Sequence, residues 1–130
     1  MAFKICQTLR PQYLLVEVFG TYDGSSAVEL LPLVLSACRL NATDKVLIDY
    51  RRMEDQQTVG DRAAYALEIS ALYESYLADG GTPLRIAYLG TTSQVGPFDP
   101  GSIIAQQKAL PFHSTTNLDD ALSWLRVEEA

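Results

Sequence analysis

The sequence predicts an α/β domain in which five strands form a mostly parallel sheet and four helices connect or follow them. Two strand-like segments at the start are separated by a turn so short that they must form an antiparallel hairpin. After the hairpin, helices and strands alternate in the order β-β-α-β-α-β-α-β-α, which favours parallel pairing with right-handed crossovers. The chain of 130 residues has the usual length of one domain, so we expect a single domain spanning 1–130.

The hairpin is predicted from two apolar segments flanking a proline turn. The first strand is Phe3 to Leu9, the turn is Arg10 to Gln12, and the second strand is Tyr13 to Phe19. Side chains alternate across a strand, so the second strand presents an apolar set to one face of the sheet and a mixed set to the other. One set is Leu14, Val16 and Val18, and the other is Leu15, Glu17 and Phe19.

The first helix has two possible starting points. Ser26 and Glu29 have the spacing of a reciprocal capping box, and apolar residues then repeat at helical period as far as Cys38. Pro32 interrupts this pattern, so either the helix kinks there or it begins one turn later with Pro32 in its first turn. Asn41 is the expected stop.

A short apolar strand and a long helix form the next repeat. Lys45 to Asp49 suits a central strand, and Arg51 to Gln57 is expected to be a polar loop. Thr58 is placed to cap the second helix, which Gly80-Gly81 ends. We expect its buried face to comprise Ala63, Ala66, Leu67, Ser70, Tyr73 and Leu77.

The remaining elements follow the same alternation. Leu84 to Leu89 is the fourth strand, and its Leu84, Ile86 and Tyr88 face away from Arg85, Ala87 and Leu89. A third helix is expected from Asp99-Pro100 to Pro111, and Phe112 to Ser114 is a brief fifth strand. Thr116 or Asn117 caps a final helix with an apolar face formed by Ala121, Leu122, Trp124 and Leu125.

Composition argues against several classes of protein. The net charge of −6 makes nucleic acid an unfavourable partner, and no apolar run approaches the ~20 residues needed to span a bilayer. The first residues lack the basic start and apolar stretch of a signal peptide, so we expect a cytoplasmic protein. Cys6 and Cys38 lie in apolar patterns, and we expect both to be buried free thiols in a reducing compartment.

No recognisable catalytic set is present in the sequence. His113 is the only histidine, and it lies far along the chain from either cysteine, so a nucleophile with a positioned base is not expected. We interpret His113 as a residue at the edge of the sheet. One histidine and two separated cysteines do not provide the usual zinc spacings, and we expect no enzyme activity, metal or cofactor.

Three segments of the chain form a recognisable set: the opening hairpin followed by Gly20 and a helix, the strand Val46-Leu47-Ile48-Asp49, and the tail Asn117 to Leu125. In these segments the chain resembles the STAS domain group (sulfate transporter and anti-sigma factor antagonist), and more closely its SpoIIAA-like bacterial proteins. The resemblance implies a mainly parallel sheet whose antiparallel first strand lies at the edge. It also implies that consecutive strands are neighbours and that helices flank the sheet.

The resemblance also identifies a candidate phosphoacceptor. In classical members, the helix after the third strand begins with Asp-Ser-Ser/Ala-Gly, and the first serine is a phosphorylation switch. Counting from Asp49, this motif falls on Gln57-Thr58-Val59-Gly60, with glutamine in place of the aspartate. Thr58 is therefore either a phosphoacceptor at a helix N-terminus or a helix cap.

Candidate binding residues follow the strands, because ligands of open parallel sheets bind beyond the carboxyl ends of the strands. These positions hold Tyr22, Asp49, Arg51, Arg52 and Thr91. The arginines, the only adjacent basic pair in this acidic chain, could bind a carboxylate or a phosphate. Alternatively, they are solvated and pair with Glu54 or Asp55.

The sequence thus predicts a non-enzymatic regulatory or protein-interaction module, whose contact surface extends from Arg51 to Asp61. The alternative is a small-ligand binding protein that takes a lipid or an anionic metabolite. A homodimer is also possible, because the second face of the sheet mixes apolar and charged residues and because Tyr65, Tyr73 and Tyr76 suggest an aromatic surface.

Overall fold

The computed structural model describes residues 3–21, 30–54, 59–91 and 111–127. These residues form five strands and three helices. The strands are β1 (Phe3–Leu9), β2 (Leu14–Thr21), β3 (Lys45–Glu54), β4 (Arg85–Leu89) and β5 (Phe112–Thr115). The helices are α1 (Leu30–Asn41), α2 (Val59–Ala78) and α3 (Leu118–Leu125). The helix predicted between Asp99 and Pro111 lies outside the described residues.

The five strands form one sheet in chain order, β1-β2-β3-β4-β5. β1 pairs antiparallel with β2, and every other pair of neighbours is parallel. A hydrogen bond of 2.8 Å from Arg10 N to Tyr13 O closes the hairpin. The predicted fold class is confirmed, including the antiparallel first strand at the edge and the placement of consecutive strands side by side.

One face of the sheet is covered by α1 and α2. The first alternating set of β2 is buried there, as predicted, together with residues of β3, β4 and both helices. Removal of this apolar surface from water is the main force that holds the helices on the sheet. The fully buried members include Leu14, Val16, Leu31, Val34, Val46, Ile48, Tyr73 and Ile86.

α1 is described from Leu30 to Asn41, with Pro32 as its third described residue. The capping box predicted from Ser26 and Glu29 lies outside the described residues. The helix ends at Asn41, as predicted, and Asn41 Nδ2 donates to Ala37 O at 2.8 Å. Ala42 follows with φ of 51°, in the left-handed region.

The buried face of α2 differs from the predicted face. Ile69, Ser70, Tyr73 and Tyr76 are buried, whereas Leu67 and Leu77 are exposed by 52% and 37%. The prediction was wrong for the two leucines because apolar residues occur all around α2, so periodicity alone did not fix the face. The face of α2 that packs on the sheet is instead the one that carries Tyr73 and Tyr76.

Two of the tyrosines of α2, Tyr73 and Tyr76, connect its C-terminal end to the segment that leads into β4. The Tyr73 hydroxyl accepts a hydrogen bond of 2.9 Å from Leu84 N, and Tyr76 Oη donates to Thr82 O at 2.7 Å. Gly81 lies so close to the Tyr76 ring that a Cβ atom there would come within 2.4 Å of it. Tyr73 and Tyr76 are therefore core residues, and the predicted aromatic dimer surface is wrong for both.

The opposite face of the sheet is covered over β3 and β4 by α3. Leu47, Ala87 and Leu89 pack there against Ala121 and Leu125. Over β2, the residues Leu15, Glu17 and Phe19 are only partly buried. This second face is thus partly covered, as its mixed composition predicts.

The ends of α3 are held by specific polar contacts. Asn117 is the N-cap, and its side-chain oxygen accepts a hydrogen bond of 3.0 Å from Asp120 N, which decides between Thr116 and Asn117. At the other end, Lys45 Nζ donates to Arg126 O at 2.9 Å, and Arg85 donates to Trp124 O. Two cations therefore lie at the helix C-terminus, where the helix dipole favours them.

The two cysteines have different environments. Cys38 is on the buried face of α1, and burial raises the pKa of its thiol to about 11. Cys6 is free but exposed, so the expectation of a buried thiol is wrong for this residue. It lies on the edge strand opposite Glu17, on the part of the second face that α3 does not cover.

Candidate functional site

β3 continues past its predicted end and reshapes the candidate site. The expected loop from Arg51 onward is strand as far as Glu54, because β2 also continues to Thr21 and pairs with it. Glu17 pairs with Asp49 and Phe19 pairs with Arg52, so Val18 faces two residues of β3. This bulge shifts the alternation of side chains along β3, so Asp49 and Arg52 lie on the same face of the sheet.

Asp49 and Arg51 form a bidentate ion pair within this bulged segment. Arg51 Nε lies 3.0 Å from Asp49 Oδ1, and Arg51 Nη2 lies 2.9 Å from Asp49 Oδ2. The backbone N–H of Arg51 also donates to Asp49 Oδ1 at 3.1 Å. The hydrogen bond with Asp49 is the main reason why the pKa of Arg51 is raised. Asp49 therefore holds the Arg51 side chain against the strand.

Arg52 is the more accessible arginine. Its side chain is 73% exposed, and Nη1 lies 3.9 Å from Glu17 Oε2. Its guanidinium lies over the Phe19 ring, 5.6 Å from the ring centre. Cation–π contact orients the group without saturating its hydrogen-bond donors. Arg52 therefore presents a partly ordered cation to solvent.

The structure brings together only some of the predicted binding residues. Asp49, Arg51 and Arg52 are contiguous on β3, whereas Thr91 follows β4 and is partly buried. Tyr22, Thr58 and the side chains of Glu54 and Asp55 lie outside what the structure describes. Glu17 and Phe19 have no binding signal in the sequence, but their register beside β3 makes them part of this surface.

His113 belongs to a second polar cluster, on β5 at the far edge of the sheet. His113 Nε2 lies 2.9 Å from Asp120 Oδ2, and the imidazole stacks on Trp124 with ring centres 5.2 Å apart. The hydrogen bond with His113 holds the pKa of Asp120 below its usual range. Arg85 covers the same indole, 4.2 Å from its centre. These contacts join β4 and β5 to α3.

Two further properties of the described residues concern metal ions and membranes. Within residues 3–21, 30–54, 59–91 and 111–127, no three His, Cys, Asp or Glu side chains are grouped so as to hold a metal ion. None of the described helices is both long enough and apolar enough to cross a membrane.

The fold matches that of solved bacterial proteins. An anti-sigma factor antagonist from Mycobacterium paratuberculosis aligns with a TM-score of 0.56 and 22% identity, over 96% of this chain and 95% of its own. An uncharacterised DUF3478 protein with a SpoIIAA-like fold, from Shewanella loihica PV-4, aligns with a TM-score of 0.50 and 21% identity, over 95% and 94%. No protein-family model and no curated protein matches the sequence. The chain has the SpoIIAA-like fold, which confirms the structural part of the STAS resemblance.

Proposed function

We propose that the protein is a non-enzymatic regulatory module that binds a protein partner through the end of β2 and the bulged end of β3. The contact surface comprises Phe19, Arg51 and Arg52, and it continues toward the start of α2. We call it the arginine surface. The observation that supports this proposal is the exposed Arg52. Its guanidinium lies over the Phe19 ring, and its neighbour Arg51 forms an ion pair with Asp49.

The chemistry of this surface suits an acidic protein partner. The chain carries a net charge of −6, yet two guanidinium groups are adjacent here. Arginine next to an aromatic ring is a combination enriched at protein interfaces, and complementary charge speeds encounter. The partner surface should therefore present carboxylates around an apolar contact for Phe19.

The structural comparison supports a regulatory role. The matched protein from Mycobacterium paratuberculosis is described as an anti-sigma factor antagonist, a class that acts through contact with another protein. At 22% identity, the match extends to fold, so the role itself is part of our proposal.

Thr58 would regulate the same surface. It directly precedes α2, which begins at Val59, so a phosphate on Thr58 would lie at the N-terminus of a 20-residue helix. The positive end of the helix dipole favours a phosphate there. The added negative charge, close in sequence to the arginine surface, would weaken binding of an acidic partner.

Site-specific photo-crosslinking in the native cell tests this proposal. p-Benzoylphenylalanine would replace Phe19 in one variant and Leu40, which is 87% exposed on α1, in a control. We expect a discrete adduct from position 19 only. Arg52→Ala in the position-19 background should reduce the yield of this adduct about fivefold, as expected for a contact residue that contributes ~1 kcal/mol to the binding free energy. Thr58→Glu should reduce it as well, whereas Thr58→Val should not.

Two results would contradict the proposal. One is equal adduct formation from positions 19 and 40, which would indicate random collision. The other is a position-19 adduct that neither Arg52→Ala nor Thr58→Glu diminishes.

The alternative function, binding of a lipid or an anionic metabolite, has less support from the described contacts. Arg51 already donates hydrogen bonds from Nε and Nη2 to the Asp49 carboxylate, so of the two arginines Arg52 is the one that is left to bind an anion. A bidentate clamp formed by both arginines would require the Asp49 pair to open first.

A further inference from the structure

Among the described strands, the edge strand β1 is paired on one side only. It is the first strand of the sheet order and, among the described strands, it pairs only with β2. Cys6, Gln7, Thr8 and Leu9 are exposed, Leu9 by 53%. Proteins commonly protect such edges with prolines, bulges or several charges. β1 contains no proline, and Lys4 is its only charged residue.

The hairpin register defines which backbone groups point outward. Arg10 N bonds to Tyr13 O, so these residues form a hydrogen-bonded pair, and such pairs alternate along an antiparallel ladder. By the register, the N–H and C=O of Lys4, Cys6 and Thr8 face β2. The corresponding groups of Phe3, Ile5, Gln7 and Leu9 therefore face the open edge.

The four residues with outward-facing backbone groups are placed symmetrically about Cys6, which is the central residue of the seven in β1. We infer that β1 binds β1 of a second copy of this chain, antiparallel, about a two-fold axis that passes beside Cys6. In this register Ile5 lies opposite Gln7 of the second copy, and both residues have outward backbone groups. Cys6 then lies opposite Cys6 of the second copy at a non-hydrogen-bonded position.

The sequence of β1 is compatible with pairing to itself. Lys4 lies opposite Thr8 of the second copy, so no like charges meet, and Phe3 lies opposite Leu9 of the second copy. A seven-residue edge buries less surface than a stable dimer interface of about 1,200 Å² or more. The dimer should therefore be weak and dependent on concentration. The dimer contact is on β1, whereas the arginine surface is on β2 and β3. An experiment can therefore contradict one proposal without contradicting the other.

Disulfide trapping tests the register directly. At a non-hydrogen-bonded pair the two Cα atoms are about 4.5 Å apart, which is within the range that a disulfide spans. Diamide would accept the two electrons and two protons released when the thiols join. We expect a covalent dimer from the purified chain and from Cys38→Ser, and none from Cys6→Ser.

A displaced cysteine separates specific pairing from random collision. Thr8→Cys in the Cys6→Ser background is also on the edge strand, but its symmetry mate would lie ~14 Å away. We expect this variant to cross-link about tenfold more slowly, because Cα atoms more than 7 Å apart do not form a disulfide without movement. Equal rates for positions 6 and 8 would overturn the inference.

A proline variant tests the backbone pairing without any thiol chemistry. The Gln7 N–H points away from β2, so Gln7→Pro removes a hydrogen bond of the dimer but none of the hairpin. Sedimentation equilibrium should show self-association for the unchanged chain and for Gln7→Ala, and monomer for Gln7→Pro. A chain that stays monomeric at millimolar concentration, or a Gln7→Pro variant that associates equally well, would also overturn the inference.

Discussion

Ala42 carries backbone strain at the end of α1. Its φ of 51° is in the left-handed region, where the Cβ of an L-residue costs roughly 1 kcal/mol. We predict that Ala42→Gly raises the free energy of unfolding by about 1 kcal/mol, measured by urea denaturation. The control is Ala71→Gly in the exposed interior of α2, which should lower it by about the same amount. A destabilised Ala42→Gly variant would contradict this reading.

The Tyr73 hydroxyl satisfies a buried backbone group. It accepts from Leu84 N at 2.9 Å, and burial raises its pKa. We predict that Tyr73→Phe lowers the free energy of unfolding by about 1–3 kcal/mol, because the Leu84 N–H is left without that partner. Tyr76→Phe should cost less, since Thr82 is exposed and water can replace the lost donor. Equal losses in the two variants would argue against this explanation.

At the scale of single residues, the sequence predicted side-chain direction better than side-chain partners. Alternation placed Val16 and Glu17 on opposite faces of the sheet correctly. It did not identify Asp49 as the partner of Arg51, because Arg51 was expected in a loop, whereas β3 continues to Glu54 and keeps residues 49 and 51 two positions apart on one strand. The exposure of Cys6 was missed because β1 is apolar in pattern but lies at the edge.

The contact between α3 and β5 should respond to acid. The hydrogen bond from His113, with a second from Thr115, lowers the pKa of Asp120 in the folded protein. Its stabilising effect is therefore complete above the ordinary aspartate pKa of about 4 and is lost as pH falls through the lowered value. We predict that Asp120→Asn loses less stability than the unchanged chain between pH 5 and pH 2, in thermal denaturation at each pH.

The neighbouring Asp119 provides a matched control for this prediction. It is in the same first turn of α3, so it experiences the same helix dipole. Asp119→Asn should keep the acid sensitivity of the unchanged chain. If both variants behaved alike, the helix dipole rather than the contact with His113 would account for the effect.

At the scale of helices and strands, type and order were predictable, whereas the length of β3 and the face of α2 were not. Strand type follows from short apolar runs with turn residues at their ends, and these signals are local. The extension of β3 from Asp49 to Glu54 requires β2 as a partner, which is a property of the sheet. The face of α2 is likewise chosen by the sheet, which buries Tyr73 and leaves Leu67 exposed.

The described part of the molecule has two apolar layers that share one sheet. Leu47 is 1% exposed and belongs to the layer under α3, while its neighbours Val46 and Ile48 belong to the layer under α1 and α2. We predict that Leu47→Ala lowers the free energy of unfolding by about 2–5 kcal/mol, because it leaves a cavity in a packed core. Leu40→Ala, at a position 87% exposed, should change it by less than about 0.5 kcal/mol.

The shared sheet should also make unfolding cooperative. Fluorescence of Trp124 reports the layer under α3, and far-ultraviolet circular dichroism reports the helices, α1 and α2 among them. We expect the two signals to change at the same urea concentration in the Leu47→Ala variant, as in a two-state transition. Separate midpoints would show that the two layers unfold independently.

The chain order of the strands has a consequence for synthesis on the ribosome. Each strand is laid down beside the strand made before it, so the sheet can grow outward from the hairpin without waiting for a later strand to be inserted. The exception is the layer under α3. Leu47 and Ala87 emerge well before Ala121 and Leu125, the residues that cover them. During that interval α3 is not yet available to shield this apolar strip from water, so this layer is completed later in synthesis than the layer under α1 and α2.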